Sequence, residues 1–163
     1  MKKDNITHYC YLDSPLGKLI LAGDQHFLKL IEFPGQNKTK ETKKNWIYSV
    51  SRFKCEIDEL IRYFDGELKK FSIKCQFTGT VFQNKVLNEL KKIPYGQTMS
   101  YSDVADRIGH PKAYRAVGSA NGKNRLPIIF PCHRVISNNG DLGGFSGGLS
   151  IKRKLLELEL KHA

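Results

Sequence analysis

Strand-like runs of leucine, β-branched and aromatic residues fill the chain from His8 to Phe33, broken at Ser14-Pro15-Leu16-Gly17 and at Ala22-Gly23-Asp24-Gln25. Such runs between turn signals predict an antiparallel meander. Pro34 to Asn45 is polar and lysine-rich, which predicts a surface loop. Ile47, Val50, Ile57, Ile61 and Phe64 then fall close to one helical face, with Gly66 where a C-terminal stop belongs. That spacing predicts one helix over 46–65 packed on the strands.

After the polar stretch Gly66 to Lys70 and a short extended piece around 71–77, the pattern changes to helices separated by turn signals. The expected division is an N-terminal domain over 1–77 and a C-terminal domain over 78–163. The expected fold class is α/β in the α+β sense: a small antiparallel sheet with a helix, then a mostly helical domain. Thr80 with Gln83 has the capping-box pattern, and Phe82, Val86, Leu90 and Ile93 form one apolar stripe ahead of Pro94, which predicts a helix over 81–92. Ser100 with Asp103 repeats that logic and opens a short helix through Ile108, with Gly109 and Pro111 beyond it. A further short helix is expected over 113–121. The two form a helix-turn-helix outline, whose second helix often meets DNA, although the same outline fits a helical hairpin that binds nothing. The apolar run Leu126 to Phe130 leads into Pro131-Cys132-His133-Arg134; then follow Val135-Ile136, the turn signal Ser137-Asn138-Asn139-Gly140 and the glycine-rich stretch Gly143 to Gly148. A final amphipathic helix is predicted over 151–160.

The chain has 163 residues, enough for one ordinary domain or two small ones with a real core. Lys and Arg number 27 against 16 acids, a formal charge of +11. That excess fits a polyanionic partner, and by itself fits a solubilising surface equally well. No apolar run approaches the roughly 18 residues of a membrane span. Met1-Lys2-Lys3-Asp4-Asn5 has no apolar stretch behind it, so a cytoplasmic protein without export signal or anchor is expected. The four cysteines Cys10, Cys55, Cys75 and Cys132 form no C-x-x-C pair, which argues against a zinc ribbon or redox dithiol. The first three are expected to pack as small hydrophobes and all four to be free thiols.

Cys132 has different company. A thiol attacks as the thiolate and needs a base or positive charge beside it, and His133 and Arg134 adjoin it in sequence. Neighbours on an extended chain point to opposite faces, so direct contact, a bridging water or another loop geometry all stay open for His133. A buried cysteine beside a surface histidine is the other reading.

The motif Pro131-Cys132-His133-Arg134-Val135-Ile136 resembles the active-site motif of the O6-alkylguanine-DNA alkyltransferases, or methylated-DNA–protein-cysteine methyltransferases. The resemblance continues through Gly79-Thr80-Val81-Phe82-Gln83, Ile93-Pro94-Tyr95-Gly96, Ser100-Tyr101, Arg115-Ala116-Val117-Gly118, Gly144-Phe145-Ser146-Gly147-Gly148-Leu149 and Leu155-Leu156-x-x-Glu159. It is looser upstream, at Ser14-Pro15-Leu16-Gly17 and Tyr63-Phe64-x-Gly66, where it implies a ribonuclease H-like domain.

The resemblance implies a DNA-repair methyltransferase that acts once. Cys132 attacks the alkyl carbon of O6-alkylguanine, or of O4-alkylthymine; His133 activates it through a water; Glu159 orients the histidine; Asn124 braces the facing loop. Tyr101 donates to the departing base. Arg115 is the finger that replaces the extruded base, and Ala113, Ala116, Gly118 and Ser119 let the second helix lie in a minor groove. Cys132, Val135, Phe145 and Ser146 bind the base. The implied partner is double-stranded DNA met by a monomer, with no membrane, no obligate protein partner and no metal, nucleotide or methyl-donor cofactor. Two departures stand out: Arg125 follows Asn124 where Pro is usual, and Cys10, Cys55 and Cys75 lack a zinc-ligand spacing. Tyr114 is bulky for a groove contact and is expected to turn into the core. The competing readings are a non-repairing lesion binder or helix-turn-helix regulator, and a cysteine hydrolase built on Cys132, His133 and Glu159.

Overall fold

The computed structural model describes residues 5–163; residues 1–4, part of the N-terminal stretch read for targeting, lie outside that range. The chain forms two compact units that divide between Thr78 and Gly79.

In the first unit, β1 (His8–Ser14), β2 (Gly17–Gly23) and β3 (Leu28–Glu32) form the expected antiparallel meander. Gly17, at φ +103°, supplies the left-handed backbone of the first turn. A fourth strand, β4 (Ile47–Tyr48), lies parallel to β1 and completes the order β3-β2-β1-β4. Helix α1 runs only over Lys54–Phe64, after a 3-10 turn at Ser51–Phe53, so the helix predicted from 46 starts late. The amides of Ile47 and Ser49 donate to the Thr7 and Tyr9 carbonyls at 2.8 and 2.9 Å, and that cross-strand pairing claims the segment for the sheet. Ile47, Val50 and Ile61 are exposed; the buried face of this region is Phe53, Glu56, Leu60, Tyr63 and Phe64. Glu56 can be buried there because Arg52 pairs with it at 3.0 Å. Gly66, at φ +78°, ends the helix as expected.

In the second unit, α2 (Val81–Leu90) opens on the complete capping box of Thr80 and Gln83 and stops two residues short of the predicted end. Val86, Leu90 and Ile93 of the predicted stripe are buried, joined by Leu87. Ser100 and Asp103 form a second capping box at the head of α3 (Tyr101–Arg107), and Gly109 at φ +79° turns the chain toward α4 (Tyr114–Gly122). Helices α2, α3 and α4 pack on one another. Strands β5 (Met99–Ser100) and β6 (Val135–Ile136) pair in parallel, and α5 (Leu149–His162) closes the chain, longer at both ends than the predicted 151–160. Among the described residues no helix is long and apolar enough to cross a membrane.

Candidate active site

Strands β5 and β6 hold two residues each, yet the pairs Met99↔Val135 and Ser100↔Ile136 set the site. Ser100 both ends β5 and caps α3, so Tyr101 sits at a fixed point beside the strand that leaves Cys132. Cys132–Arg134 is a 3-10 turn, so of the geometries the sequence left open the segment takes a looped one rather than an extended one. With about three residues per turn, successive side chains fan out by roughly 120°, so neighbours in sequence serve different neighbours in space.

Cys132 is 3% exposed and lines a cavity of about 450 Å³, together with Tyr101, Tyr114, Arg115, Gly118, Asn121, Gly122, Ser137, Gly143, Gly144, Phe145 and Ser146. Burial pushes its thiol up to about 11, against a hydrogen bond from the Asn124 side chain and the charge of Lys152. The thiol is therefore protonated at neutral pH, and its proton must leave for attack to occur.

Behind the turn, α5 presents Lys152, Leu155 and Glu159 on one buried stripe. Burial alone would raise the Glu159 carboxyl, but hydrogen bonds from His133 and Arg134 hold it far below the usual carboxylate range. Its oxygens lie 2.7 Å from His133 Nε2, accept from Arg134 Nε at 2.8 Å and Nη2 at 2.9 Å, and accept from the Gly96 amide at 3.2 Å. Burial keeps the His133 pKa below its ordinary value despite this carboxylate, so the ring is neutral at neutral pH. Facing an ionised carboxylate, Nε2 carries the proton. Nδ1, buried and without a hydrogen-bond partner among the described residues, is left as the basic nitrogen.

Arg134, expected to lend charge to the sulfur, turns away from it. Its guanidinium is spent on Glu159 and, through Nη1 at 2.7 Å, on the Ile93 carbonyl. The cation that bears on Cys132 is Lys152, which sequence reading missed. Its Nζ donates to the carbonyls of Val135 at 2.6 Å and Gly144 at 3.3 Å, and burial brings its pKa down to about 8. The available signal was its place three residues before Leu155 and seven before Glu159, on the inward face of the same helix.

Asn124 donates from Nδ2 to the Phe130 carbonyl at 2.8 Å and accepts from the Leu126 amide at 2.9 Å, which ties down the loop before Pro131 with Arg125 in place of proline. The Tyr101 hydroxyl donates to the Gly144 carbonyl at 3.5 Å, and burial followed by the nearness of Cys132 raises its pKa, so it stays a donor. Gly143, at φ +71°, is required here: a Cβ would lie 2.9 Å from the Tyr101 hydroxyl oxygen.

The expected site residues take three positions. Cys132, Tyr101, Arg115, Gly118, Phe145 and Ser146 line the cavity; His133, Glu159, Asn124 and Val135 lie buried outside its lining; Ala116 and Ser119 are exposed on α4, with Ala113 half-buried at its start. Tyr114 does not turn into the core: it is 44% exposed and lines the cavity beside Arg115, because the first turn of α4 lies at the surface. Cys10 is buried and Cys75 half-buried, but Cys55 is exposed, since it lies on the outer side of α1; none of the four cysteines is in a disulfide among the described residues. Among the described residues no group of three or more His, Cys, Asp or Glu is placed to hold a metal ion.

Known proteins are similar to this chain along nearly its whole length. Residues 7–77 match the family model of the 6-O-methylguanine DNA methyltransferase ribonuclease-like domain, and residues 81–161 match that of the DNA-binding domain of the same family. A methylated-DNA–protein-cysteine methyltransferase of Methanosarcina acetivorans is 47% identical over 152 residues, 93% of this chain and 97% of the relative. One of Mycobacterium tuberculosis is 45% identical over 158 residues, 97% of this chain and 95% of the relative. The crystal structure of Mycobacterium tuberculosis OGT in complex with DNA superposes with a TM-score of 0.89 at 44% identity, covering 96% of this chain and 95% of that one. With a cysteine at the cavity wall, a clamped His–Glu pair behind it and both family models matched across their domains, the chain belongs to the 6-O-methylguanine DNA methyltransferase family.

Proposed function

We propose that the protein repairs alkylated DNA by moving the alkyl group of O6-alkylguanine, and of O4-alkylthymine, onto Cys132. An adduct stacked in a duplex is out of reach of any side chain, so the damaged base is extruded into the cavity. Arg115, exposed at the cavity rim on α4, fills the gap left behind, and Ala113, Ala116, Gly118 and Ser119 keep that helix slim enough to lie in a minor groove. Phe145, Ser146 and the backbone around Val135 hold the base. His133 Nδ1 takes the thiol proton through a water, Sγ attacks the alkyl carbon, and the carbon–O6 bond breaks with its electron pair leaving on the base. The Tyr101 hydroxyl donates to the departing base as negative charge develops on it.

A thioether on Cys132 has no route of release, so each molecule reacts once. The lesion supplies the alkyl group, which leaves no step for a methyl donor. We place the protein in the cytoplasm, acting as a monomer on double-stranded DNA. The observation that carries this reading is the Glu159–His133 pair, which leaves Nδ1, without a hydrogen-bond partner among the described residues, as a basic nitrogen one residue from a cavity-lining thiol. A lesion binder that does not repair has no use for it.

Incubation with a duplex carrying one O6-methylguanine is expected to add about 14 Da, one methylene, to the peptide containing Cys132. An unchanged mass rejects transfer. Cys132→Ala is expected to lose transfer completely and to keep its affinity for DNA, because the thiol is not on the exposed face of α4. Arg115→Ala is expected to slow repair of duplex at least about tenfold while reaction with free O6-benzylguanine is unchanged, since a free base needs no extrusion. Equal slowing of the two substrates removes the finger role.

A further inference from the structure

Tyr114 is the bulky residue on the first turn of α4, where the other exposed residues are Arg115, Ala116, Ser119 and Gly122. Its ring lines the same cavity as Cys132 and is 44% exposed, whereas Cys132 is 3% exposed. The cavity is therefore layered, with the thiol at its floor and the tyrosine at its rim. The Arg115 guanidinium lies 5.7 Å from the Tyr114 ring centroid, over the ring. A large half-exposed ring adds little to the core side of α4, where Val117, Ala120 and Asn121 are the buried residues. It instead presents a π-face to whatever meets the rim.

A base whose O6 substituent touches Cys132 fills the floor. What then reaches the rim is the part of the substrate still joined to DNA: its own sugar and phosphate, and the adjacent base. We infer that Tyr114 is a stacking platform for the nucleobase that flanks the extruded one, and that it works as a pair with Arg115. The ring holds the guanidinium over its face, so the arginine enters the duplex from a restricted set of directions rather than as a free, long side chain. As the gap opens, the ring offers the flanking base a surface to replace the stacking it has lost. Stacking on a tyrosine face tolerates any base, which suits a protein that must find damage in every sequence context. This inference rests on the alkyl-transfer reading above and adds to it a positioning residue that acts only on duplex.

The test compares Tyr114→Ala, Tyr114→Phe and the unchanged protein on two substrates: a duplex with one O6-methylguanine, and free O6-benzylguanine. Tyr114→Ala is expected to slow transfer from the duplex about tenfold, the loss of one base–aromatic stack, and to leave the reaction with the free base unchanged. Tyr114→Phe is expected to restore the duplex rate, because the ring and not the hydroxyl does the stacking. Three outcomes overturn the inference: no loss on duplex with Tyr114→Ala, an equal loss on both substrates, or a Phe variant as slow as the Ala variant. An equal loss would place the ring at the floor or in the support of α4. If the unchanged protein gains no mass from the methylated duplex, the transfer reading itself fails. The ring is then judged by equilibrium binding alone, where Tyr114→Ala must cost about tenfold in affinity for the lesion duplex over intact duplex or the stacking role falls too.

Discussion

Glu159→Ala is expected to destabilise the C-terminal unit by about 3–5 kcal/mol and to abolish transfer in the fraction that still folds. The reason is what the carboxylate leaves behind. Arg134 is buried, and apart from the Ile93 carbonyl its hydrogen bonds go to Glu159. Removing one partner of a buried pair strands the other charge in low dielectric, which is why breaking such a pair costs more than the pair contributes. His133 loses the acceptor that fixes its proton on Nε2, so Nδ1 is no longer held as the free base.

A loss of that size is a large share of the roughly 5–15 kcal/mol that holds an ordinary domain together. Denaturant midpoints read it, and a double variant separates stability from chemistry. Glu159→Met with Arg134→Met removes both charges, so stability should largely return while transfer does not, because His133 stays unanchored. Recovery of transfer in the double variant would mean that the carboxylate serves only the fold. Acid acts on the same cluster. Glu159 has a depressed pKa, so its contribution is present above the ordinary glutamate value of about 4.3 and is lost as pH falls below it. His133 is also depressed, so the cost of keeping it neutral begins as pH falls below about 6.5.

Local signals were legible in the sequence, and signals that depend on distant partners were not. Both capping boxes were readable because cap and N3 residue lie three positions apart and satisfy each other without outside help. The start of α1 was misread because two influences came from elsewhere. The edge of β1 drew Ile47 and Tyr48 into the sheet, and Arg52 made a glutamate buriable on the inner face, so the apolar pattern alone pointed to the wrong stripe. At the site, adjacency misled. Arg134 follows His133 directly yet is turned toward α5 by the 3-10 turn, while the cation that bears on Cys132 comes from Lys152, in a helix that follows the whole glycine-rich loop. The resemblance supplied Glu159 and Asn124, whose partners are now visible; nothing local in the sequence would have found them. Tyr114 was misjudged because bulk was taken as a reason for burial at a position where the helix simply faces outward.

Lys152→Met is expected to slow transfer at neutral pH by about ten- to a hundredfold with little change in stability, and the two halves of that outcome have separate causes. Burial brings the Lys152 pKa from 10.5 to about 8, so at neutral pH the fold carries a protonated amine at a cost on the order of 3 kcal/mol. The two hydrogen bonds from Nζ to Val135 and Gly144 offset most of it, at about 1–1.5 kcal/mol each. Methionine removes the cost and the bonds together. Because the folded pKa lies below the unfolded one, the unfolded chain binds more protons between about pH 8 and 10.4, and stability of the unchanged protein should rise with pH across that window. The chemistry moves the other way. Lys152 pulls the Cys132 thiol down, so its loss raises the thiol further above about 11 and lowers the thiolate available for attack. Because His133 keeps the proton it takes from the thiol, transfer from free O6-benzylguanine should be level from about pH 6.5 to 8 and then fall as Lys152 gives up its charge. The methionine variant should start lower and stay level across the range, with no break. A variant as fast as the unchanged protein at neutral pH, or a break near pH 8 in both, would show that Lys152 only ties β6 to the glycine loop.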